Sequence, residues 1–377
     1  MRSRLGSHII MIAFAGNAYA QSSTTLYGLV ETGIVYSSNQ HGHATVQFVN
    51  GQTQASRFGL RGTEDLGGGL RAIFTLENGF DPSSGKLQQN SRMFGRQAFV
   101  GLSGAFGTFT MGRQYEPVYE YVGAISGTSL FSWFGAHPAD LDNMQSFARV
   151  NNALKYRTPD YAGFSAEGLI APGGVAGNFG ENRVYSASVG YNRGPFVAAV
   201  GFANFNNPSV TAYDGSVSPG AAGYTSPVNS PVDSGYASAR SLQIFAAGAS
   251  YRIGDATAGV VYTNTRFVDV FPTATTPFSG TARFNTYEAN LQYRLRAALL
   301  LAAEYDFTDG ETARYNQVHL GAIYSLSKRT DFALMGVWQH AGGKDSTGKS
   351  AVAAIPSLTA SSTSNQLAVK VTMRHRF

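Results

Sequence analysis

The feature that most constrains this chain is an alternation of apolar and polar side chains, repeated in segments of about ten residues. The clearest segment lies at the end of the sequence, where Leu367, Val369 and Val371 alternate with Ala368, Lys370 and other small or polar residues. Successive side chains of a β-strand point to opposite faces. The pattern therefore predicts strands that each have one apolar and one polar face.

The alternation recurs along almost the whole chain. It predicts sixteen strands, over residues 24–36, 52–62, 70–80, 94–103, 107–114, 149–157, 163–170, 182–192, 195–204, 240–251, 256–265, 283–293, 298–307, 314–324, 330–339 and 365–377. An even number in this range is typical of closed antiparallel barrels that enclose an aqueous channel. The fold class predicted is all-β.

The predicted connections alternate between short and long. Short ones are residues 63–69, 104–106, 252–255 and 326–329, and long ones are 37–51, 81–93, 115–148, 171–181, 205–239, 266–282 and 340–364. Membrane barrels have short turns at one end and longer loops at the other. A soluble β-sandwich would not sort its loops in this way.

Composition favours a membrane barrel over a soluble sheet. Only 14% of the residues are charged, against about 25% in soluble proteins, and no stretch approaches the ~18 continuous apolar residues of a membrane helix. One face of residues 185–191 holds Tyr185, Val189 and Tyr191. Apolar faces that end in aromatic residues suit lipid flanked by aromatic girdles.

The first twenty residues predict a secretory signal peptide. Arg2 and Arg4 precede an apolar stretch at 9–15, and Ala18-Tyr19-Ala20 matches a cleavage site. The mature protein would then be one barrel domain, residues 21–377. The net charge of +5 is too small to indicate nucleic acid, and the chain has no cysteine.

The connection at residues 115–148 is too long for a simple surface loop. It contains Tyr115, Tyr119, Tyr121, Trp133 and other aromatic residues, a composition that argues against disorder. We expect it to lie inside the barrel and to narrow the hole. Its tip, residues 125–129, has no charged residue.

Several blocks of sequence resemble Gram-negative general-diffusion porins of the β-proteobacterial, neisserial type. They are residues 25–28 (TLYG), 56–69 (SRFGLRGTEDLGGG), 70–76 (LRAIFTL), 94–104 (FGRQAFVGLSG), 106–115 (FGTFTMGRQY), 152–164 (NALKYRTPDYAGF) and 374–377 (RHRF). The resemblance implies a 16-stranded antiparallel transmembrane β-barrel in the outer membrane, with its third external loop folded inward. It further implies a homotrimer among outer-membrane lipid and lipopolysaccharide, through which small hydrophilic solutes and ions diffuse passively. Phe377 would be the signal that the barrel-assembly machinery recognises.

The predicted pore-lining residues are charged. A charge on the lipid face costs about 2–4 kcal/mol at mid-depth, so the strand arginines are expected to point inward. The set is Arg57, Arg61, Arg71, Arg96 and Arg149 on the strands, with Glu116, Glu120, Asp140 and Asp142 in the long connection. The resemblance places Arg57, Arg96 and Arg149 at the constriction. With a neutral loop tip opposite, a weak anion preference follows.

Arg113 and the histidines of an external loop have lesser predicted roles. Arg113 is a candidate partner for an intersubunit latch formed by residues 81–93, as the resemblance suggests. His41 and His43 are assigned to a solvated loop, and no metal, cofactor or catalytic group is predicted. The leading hypothesis is a diffusion porin rather than an enzyme. The alternatives are a solute-selective channel of the same fold, a barrel enzyme, or an adhesin acting through residues 205–239 and 340–364.

Overall fold

The computed structural model describes residues 22–51, 53–273 and 276–377, and the predicted signal peptide lies outside these ranges. Within them, one antiparallel sheet contains seventeen strands. Their bounds are β1 Ser23–Gln40, β2 His43–Asn50, β3 Arg57–Gly67, β4 Leu70–Gly79, β5 Gln97–Gly104, β6 Gly107–Gln114, β7 Val150–Arg157, β8 Phe164–Ala171, β9 Val184–Arg193, β10 Phe196–Asn206, β11 Ala239–Ile253, β12 Ala256–Val270, β13 Gly280–Arg296, β14 Leu299–Gly310, β15 Ala313–Ser325, β16 Thr330–Gly343 and β17 Asn365–Arg376.

The sheet closes on itself. β1 pairs with β17 from Leu29 opposite Arg376 to Ser37 opposite Ala368. On its other edge, the first half of β1 pairs with β3 and the second half with β2. β2 and β3 therefore share one position around the barrel, and the seventeen strands occupy sixteen positions. This confirms the predicted 16-stranded antiparallel barrel.

The prediction of a long loop at residues 37–51 is wrong. β1 continues to Gln40 and turns at once into β2. β2 alternates as a strand should, with Val46 and Phe48 exposed, but the prediction assigned these residues to the loop. The predicted strand at 52–62 also begins too early, because the amides of Thr53 and Gln54 donate to the carboxylate of Glu31 instead of to a neighbouring strand.

The two faces of the strands divide as predicted. On β17, Val369, Val371 and Met373 are exposed, whereas Lys370 and Thr372 are buried. The exposed apolar band continues around the barrel, and exposure of so much apolar surface to water would be unfavourable. The outward face is therefore suited to lipid, and the inward face is polar.

The two ends of the barrel differ. At one end the strands are joined by turns at residues 68–69, 105–106, 158–163, 194–195, 254–255, 297–298 and 326–329. At the other end, connections at residues 80–96, 115–149, 172–183, 207–238 and 344–364 are long, while 41–42 and 311–312 are short. The predicted loop at 266–282 is shorter than expected, because β12 continues to Val270 and β13 begins at Gly280. The predicted asymmetry holds, apart from these two short connections.

Helical structure is confined to short turns in the long connections. They are α1 Gln88–Ser91, α2 Thr128–Phe131, α3 Pro208–Thr211, a π-helical turn at Tyr119–Gly123, and 3-10 turns at Ser132–Gly135, Pro138–Asp140 and Ser234–Tyr236. None of the helices in the described ranges has the length and apolar character needed to cross a membrane.

The connection between β6 and β7, residues 115–149, packs against the polar face of the barrel wall. Val118, Phe131, Phe134 and Met144 are almost fully buried. The ring of Phe134 lies 4.4 Å from the ammonium of Lys370 on β17, and the side chain of Gln317 on β15 donates to the carbonyl of Ala136. We call this segment the 115–149 loop.

The last residue of the chain is tied to the first strand. The backbone of Phe377 exchanges two hydrogen bonds with Gly28. A β-carbon on Gly28 would lie 2.6 Å from the Phe377 ring and 2.5 Å from the carbonyl oxygen of Arg57. The terminal ring therefore needs a glycine at this position in order to pack against the wall.

Gly28→Val should weaken this junction by about 1–3 kcal/mol, because the added side chain must displace the ring or the backbone. The expected result is a smaller folded fraction and a lower melting temperature, measured by heat-dependent mobility on gels. Gly168→Val is the matched control, since a β-carbon there meets nothing within 4 Å. Equal behaviour of the two variants would contradict the prediction.

Candidate functional site

A polar cavity of about 460 Å³ lies between the barrel wall and the 115–149 loop. Arg57, Arg96 and Arg149, three of the predicted pore-lining residues, come together here with Arg157. Opposite them are loop residues Ala124, Ser129, Ser132, Trp133 and Gln145. We call this space the arginine cavity.

Two of the arginines are fixed by specific partners. Arg96 Nε donates to Glu77 at 2.7 Å, and its terminal nitrogen donates to the Tyr115 hydroxyl at 2.6 Å. The guanidinium of Arg149 lies 5.3 Å from the centre of the Tyr115 ring. Such contacts hold a guanidinium in one orientation while leaving its charge in place.

Arg61 and Arg71 do not line this cavity. Arg61 lies over the ring of Tyr27 at 5.2 Å. Arg71 is exposed near the short-turn end, opposite Asp65 in the register of β3 and β4. Both arginines lie nearer the short-turn end of the barrel than Arg57 does.

Glu116 is buried at the start of the 115–149 loop instead of facing the cavity. Its carboxylate accepts hydrogen bonds from the amides of Val118 and Tyr119, at 2.6 and 2.7 Å. Asn143 at the far end of the loop and Ser186 on β9 also donate to it, at 3.0 and 2.8 Å. Glu116 thus joins both ends of the loop to the wall.

Glu120 does line the arginine cavity. It forms an ion pair with Lys155 on β7, and Lys155 also lies 3.1 Å from Glu167 on β8. Lys155 therefore offsets only part of the negative charge of Glu120 and Glu167, and the four arginines leave the lining with an excess of positive charge.

Asp140 and Asp142 are buried within the loop. Asp140 accepts hydrogen bonds from the amides of Gln145 and Phe147, and both burial and the neighbouring Asp142 raise its pKa well above the usual range. Asp142 accepts from Thr263 on β12 and lies 2.7 Å from His137 Nδ1. Burial alone would lower the pKa of His137, but the adjacent Asp142 carboxylate holds it well above its ordinary value.

The neutral tip of the loop is docked on an acidic part of the wall. The Ser126 hydroxyl and the Gly127 amide both donate to Glu288 on β13, at 2.5 and 2.7 Å. Glu304 and Asp306 on β14 lie beneath the same tip and are buried. The loop thus covers the acidic wall and leaves the arginines facing the cavity.

Sequence reasoning did not single out Glu77, Trp133, Lys155, Arg157 or Glu288. The alternation placed Lys155, Arg157 and Glu288 on polar faces, but it gave no sign of which would meet the loop. Trp133 lines both the arginine cavity and a second cavity of about 910 Å³, which is bounded by residues 227–234 and 345–361.

Arg113, the candidate latch residue, is held within its own chain. Its guanidinium donates to the carbonyl oxygens of Gly95 and Arg149 and to the Asn151 side chain. It also lies 3.5 Å from Asp214 in the 207–238 connection. A role between subunits stays a prediction.

The 207–238 connection should respond to pH through Asp233. Burial raises the pKa of Asp233 to about 7, although the Tyr213 hydroxyl donates to it at 3.0 Å. Asp345 and Lys349 line the same cavity. An unfolded Asp has a pKa of about 3.9, so the packed state takes up a proton and its stability falls as pH rises from about 4 to about 7.

We therefore expect faster proteolysis of residues 207–238 at pH 8 than at pH 5. Asp233→Asn, measured at each pH, serves as the reference because it removes the titrating group and cancels the pH dependence of the protease. Parallel pH profiles for the two proteins would show that Asp233 does not control the packing of this connection.

A closed sheet with an apolar outer face, a polar interior and cavities between wall and loops defines a transmembrane β-barrel. Comparison with known proteins identifies the family of β-barrels to which the chain belongs. A family model described as Gram-negative porin matches residues 7–343. The chain therefore belongs to the Gram-negative porin family, whose place is the bacterial outer membrane.

Individual relatives agree. Outer membrane porin protein 32 of Delftia acidovorans is 28% identical over 338 residues, which cover 85% of each chain. An outer membrane porin protein of Bordetella pertussis is 37% identical over 180 residues, but the match spans only 44% of this chain and 46% of the relative. Relatives of this family are channels rather than enzymes.

Solved structures show the same fold. An anion-selective porin from Comamonas acidovorans superimposes with a TM-score of 0.73 at 24% identity, over 95% of this chain and 100% of that one. OmpT of Vibrio cholerae, described in a trimer form, gives 0.63 at 15% identity, over 94% and 99% of the two chains. At these identities the likeness concerns the fold.

Proposed function

We propose that this protein forms a water-filled channel through which small hydrophilic solutes and ions cross the outer membrane passively. The observation that carries the proposal is the arginine cavity, a polar space between the wall and the 115–149 loop. A larger cavity of about 910 Å³ lies next to it on the loop side, and Trp133 lines both spaces. In this proposal the 115–149 loop, which includes the predicted constriction at 115–148, narrows the channel.

The channel has a weak preference for anions. Four arginines line the arginine cavity, and Glu120 is the single acidic residue in its lining. When the groups paired with this lining are included, which are Glu77 on Arg96 and Lys155 between Glu120 and Glu167, five cations stand against three carboxylates. Rings of like charge are a general source of ion selectivity in pores. The structural relative from Comamonas acidovorans is described as anion-selective, which supports the same sign.

The protein assembles as a homotrimer surrounded by outer-membrane lipid and lipopolysaccharide. Support comes from the trimeric form among the structural neighbours and from the exposed apolar band. The candidates for the subunit contact are residues 81–93 and Arg113. Arg113 would act indirectly, by holding the backbone at Gly95 and Arg149, whose carbonyl oxygens accept its hydrogen bonds. Phe377, whose ring is 44% exposed, is the group offered to the barrel-assembly machinery.

Planar-bilayer recording tests the proposal. We expect stable, ohmic openings that appear in steps of three. In a salt gradient, the sign of the reversal potential should be the one that anion preference produces. An inserted, correctly folded protein that carries no current would overturn the channel function. Clear cation selectivity would overturn only the assignment of sign.

A solute-selective channel of the same fold is the second candidate. The rings of Phe147 and Tyr213 are stacked at 5.0 Å and line the larger cavity together with Trp133. Aromatic surfaces of this kind favour planar or sugar-like solutes. Liposome swelling with sugars and organic acids of matched size separates the candidates, since a general channel should rank them by size alone.

A further inference from the structure

A group of ionisable side chains is buried where the tip of the 115–149 loop meets the wall. It contains four carboxylates and two imidazoles: Asp142, Glu288, Glu304, Asp306, His137 and His319. All six are at most 4% exposed. We call it the histidine–carboxylate cluster. Even with both imidazoles protonated, four ionised carboxylates would leave the cluster with excess negative charge in a position that water does not reach. This is unfavourable unless protons or a metal cation compensate.

Glu304 is the member that is least satisfied. Among the residues that the structure describes, neither of its carboxylate oxygens has a hydrogen-bond partner. The other carboxylates are bonded: Glu288 to Ser126 and Gly127, and Asp306 to Gln317. An unpaired buried carboxylate costs several kcal/mol, so the position of Glu304 points to a ligand.

The loop lies directly against this carboxylate. A β-carbon on Gly127 would be 2.3 Å from Glu304 Oε2. One donor atom from each of His137, Glu288 and Glu304 lies within 4.8 Å of the other two. Donors about 2.1 Å from one metal ion are separated by about 3–4 Å, so small side-chain rotations would bring these three together.

The imidazole of His137 is already oriented as a ligand. Its Nδ1 faces Asp142 at 2.7 Å, and its Nε2 faces Glu288 at 3.0 Å. A carboxylate that fixes the far nitrogen of a metal-bound histidine is a common arrangement in metal sites. An ion at Nε2 would take the place of a proton there.

We propose that His137, Glu288 and Glu304 bind a divalent metal ion of the zinc type. An imidazole with carboxylates suits Zn²⁺ and its transition-metal neighbours, whereas Mg²⁺ and Ca²⁺ favour oxygen donors alone. His137 belongs to the loop, and Glu288 and Glu304 belong to β13 and β14. The ion would therefore clamp the 115–149 loop to the wall.

The second trio of the cluster, Glu304 with Asp306 and His319, is the competing position. Asp306 already accepts hydrogen bonds from Gln317 and lies 3.0 Å from His319 Nε2. All three residues of this second trio lie on the wall, on β14 and β15. An ion there would not hold the loop, so the two positions predict different variants to be sensitive.

The test is titration of EDTA-treated, refolded protein with ZnCl₂ by isothermal calorimetry. We expect about one Zn²⁺ per chain, with affinity weakened tenfold or more in Glu304→Gln and His137→Gln. His319→Gln should change the affinity less than threefold. The double variant His41→Gln/His43→Gln removes two exposed histidines and should bind as the wild type does.

Zn²⁺ should also slow proteolysis within the 115–149 loop of the wild type but not of Glu304→Gln. If His137→Gln does not fold, as judged by gel mobility, the comparison of Glu304→Gln with His319→Gln decides the question, because Glu304 belongs to both trios and His319 only to the second. The proposal is overturned by absence of saturable binding, by loss of binding only in His319→Gln or in the exposed-histidine variant, or by equal affinity for Ca²⁺. Binding in detergent does not require conduction, so failure here is distinguishable from failure of the channel function.

Discussion

Arg57→Glu should turn the anion preference of the channel into a cation preference. The substitution changes the charge of the arginine cavity by two units, and in the proposed channel ions pass this position. At separations of about 6 Å and effective dielectric constants of 20–80, each unit charge contributes about 1–3 kcal/mol to the energy of a passing ion. We expect the permeability ratio of cation to anion to rise about tenfold or more, measured as a change in the sign of the reversal potential.

Arg71→Glu is the matched control. It makes the same change of charge on the neighbouring strand, but Arg71 is exposed outside the arginine cavity. Its reversal potential should stay close to that of the wild type. Arg57→Gln should give an intermediate value, and an unchanged selectivity in both Arg57 variants would show that ions do not pass this cavity.

Glu116→Ala should release the 115–149 loop from the wall. It removes the acceptor for two backbone amides, one asparagine and one serine, and three of these four donors are buried. Each buried donor left without a partner costs about 1–3 kcal/mol, and the loop loses the connection between its two ends. We expect a larger and noisier single-channel current, together with rapid proteolysis within residues 115–149.

Glu64→Ala, in an exposed position on β3, is the control for loss of a carboxylate. Because the barrel strands do not depend on Glu116, both variants should keep the heat-dependent gel mobility of a folded barrel. A quiet current of wild-type size in Glu116→Ala would mean that other contacts, such as Ser126 and Gly127 on Glu288, suffice to hold the loop.

The strands and their faces were readable from the sequence, because alternation is a local property. A residue such as Val371 lies outward whatever its neighbours are, provided that the strand forms. β2 was missed although it alternates. The course of the chain at Thr53 and Gln54 depends on Glu31, whose role as an acceptor has no local signature.

The candidate site was predicted in part. Arg57, Arg96 and Arg149 come together as the resemblance implied, whereas Arg61 and Arg71 lie elsewhere on the wall. The acids of the loop prove to be buried anchors, with the exception of Glu120. A carboxylate in a loop sequence carries no sign of whether backbone amides or solvent will surround it.

The sequence by itself determined that the chain is a membrane barrel with polar, arginine-bearing strand faces, because period-two alternation and the cost of charge in lipid act on each strand separately. Only the tertiary structure decided which charges face the open space. The 115–149 loop crosses to strands that lie more than a hundred residues away in sequence, and there Ser126 and Gly127 meet Glu288. The loop covers the acidic wall, whereas the arginines line the cavity, and this division of charge depends on contacts that no local pattern encodes.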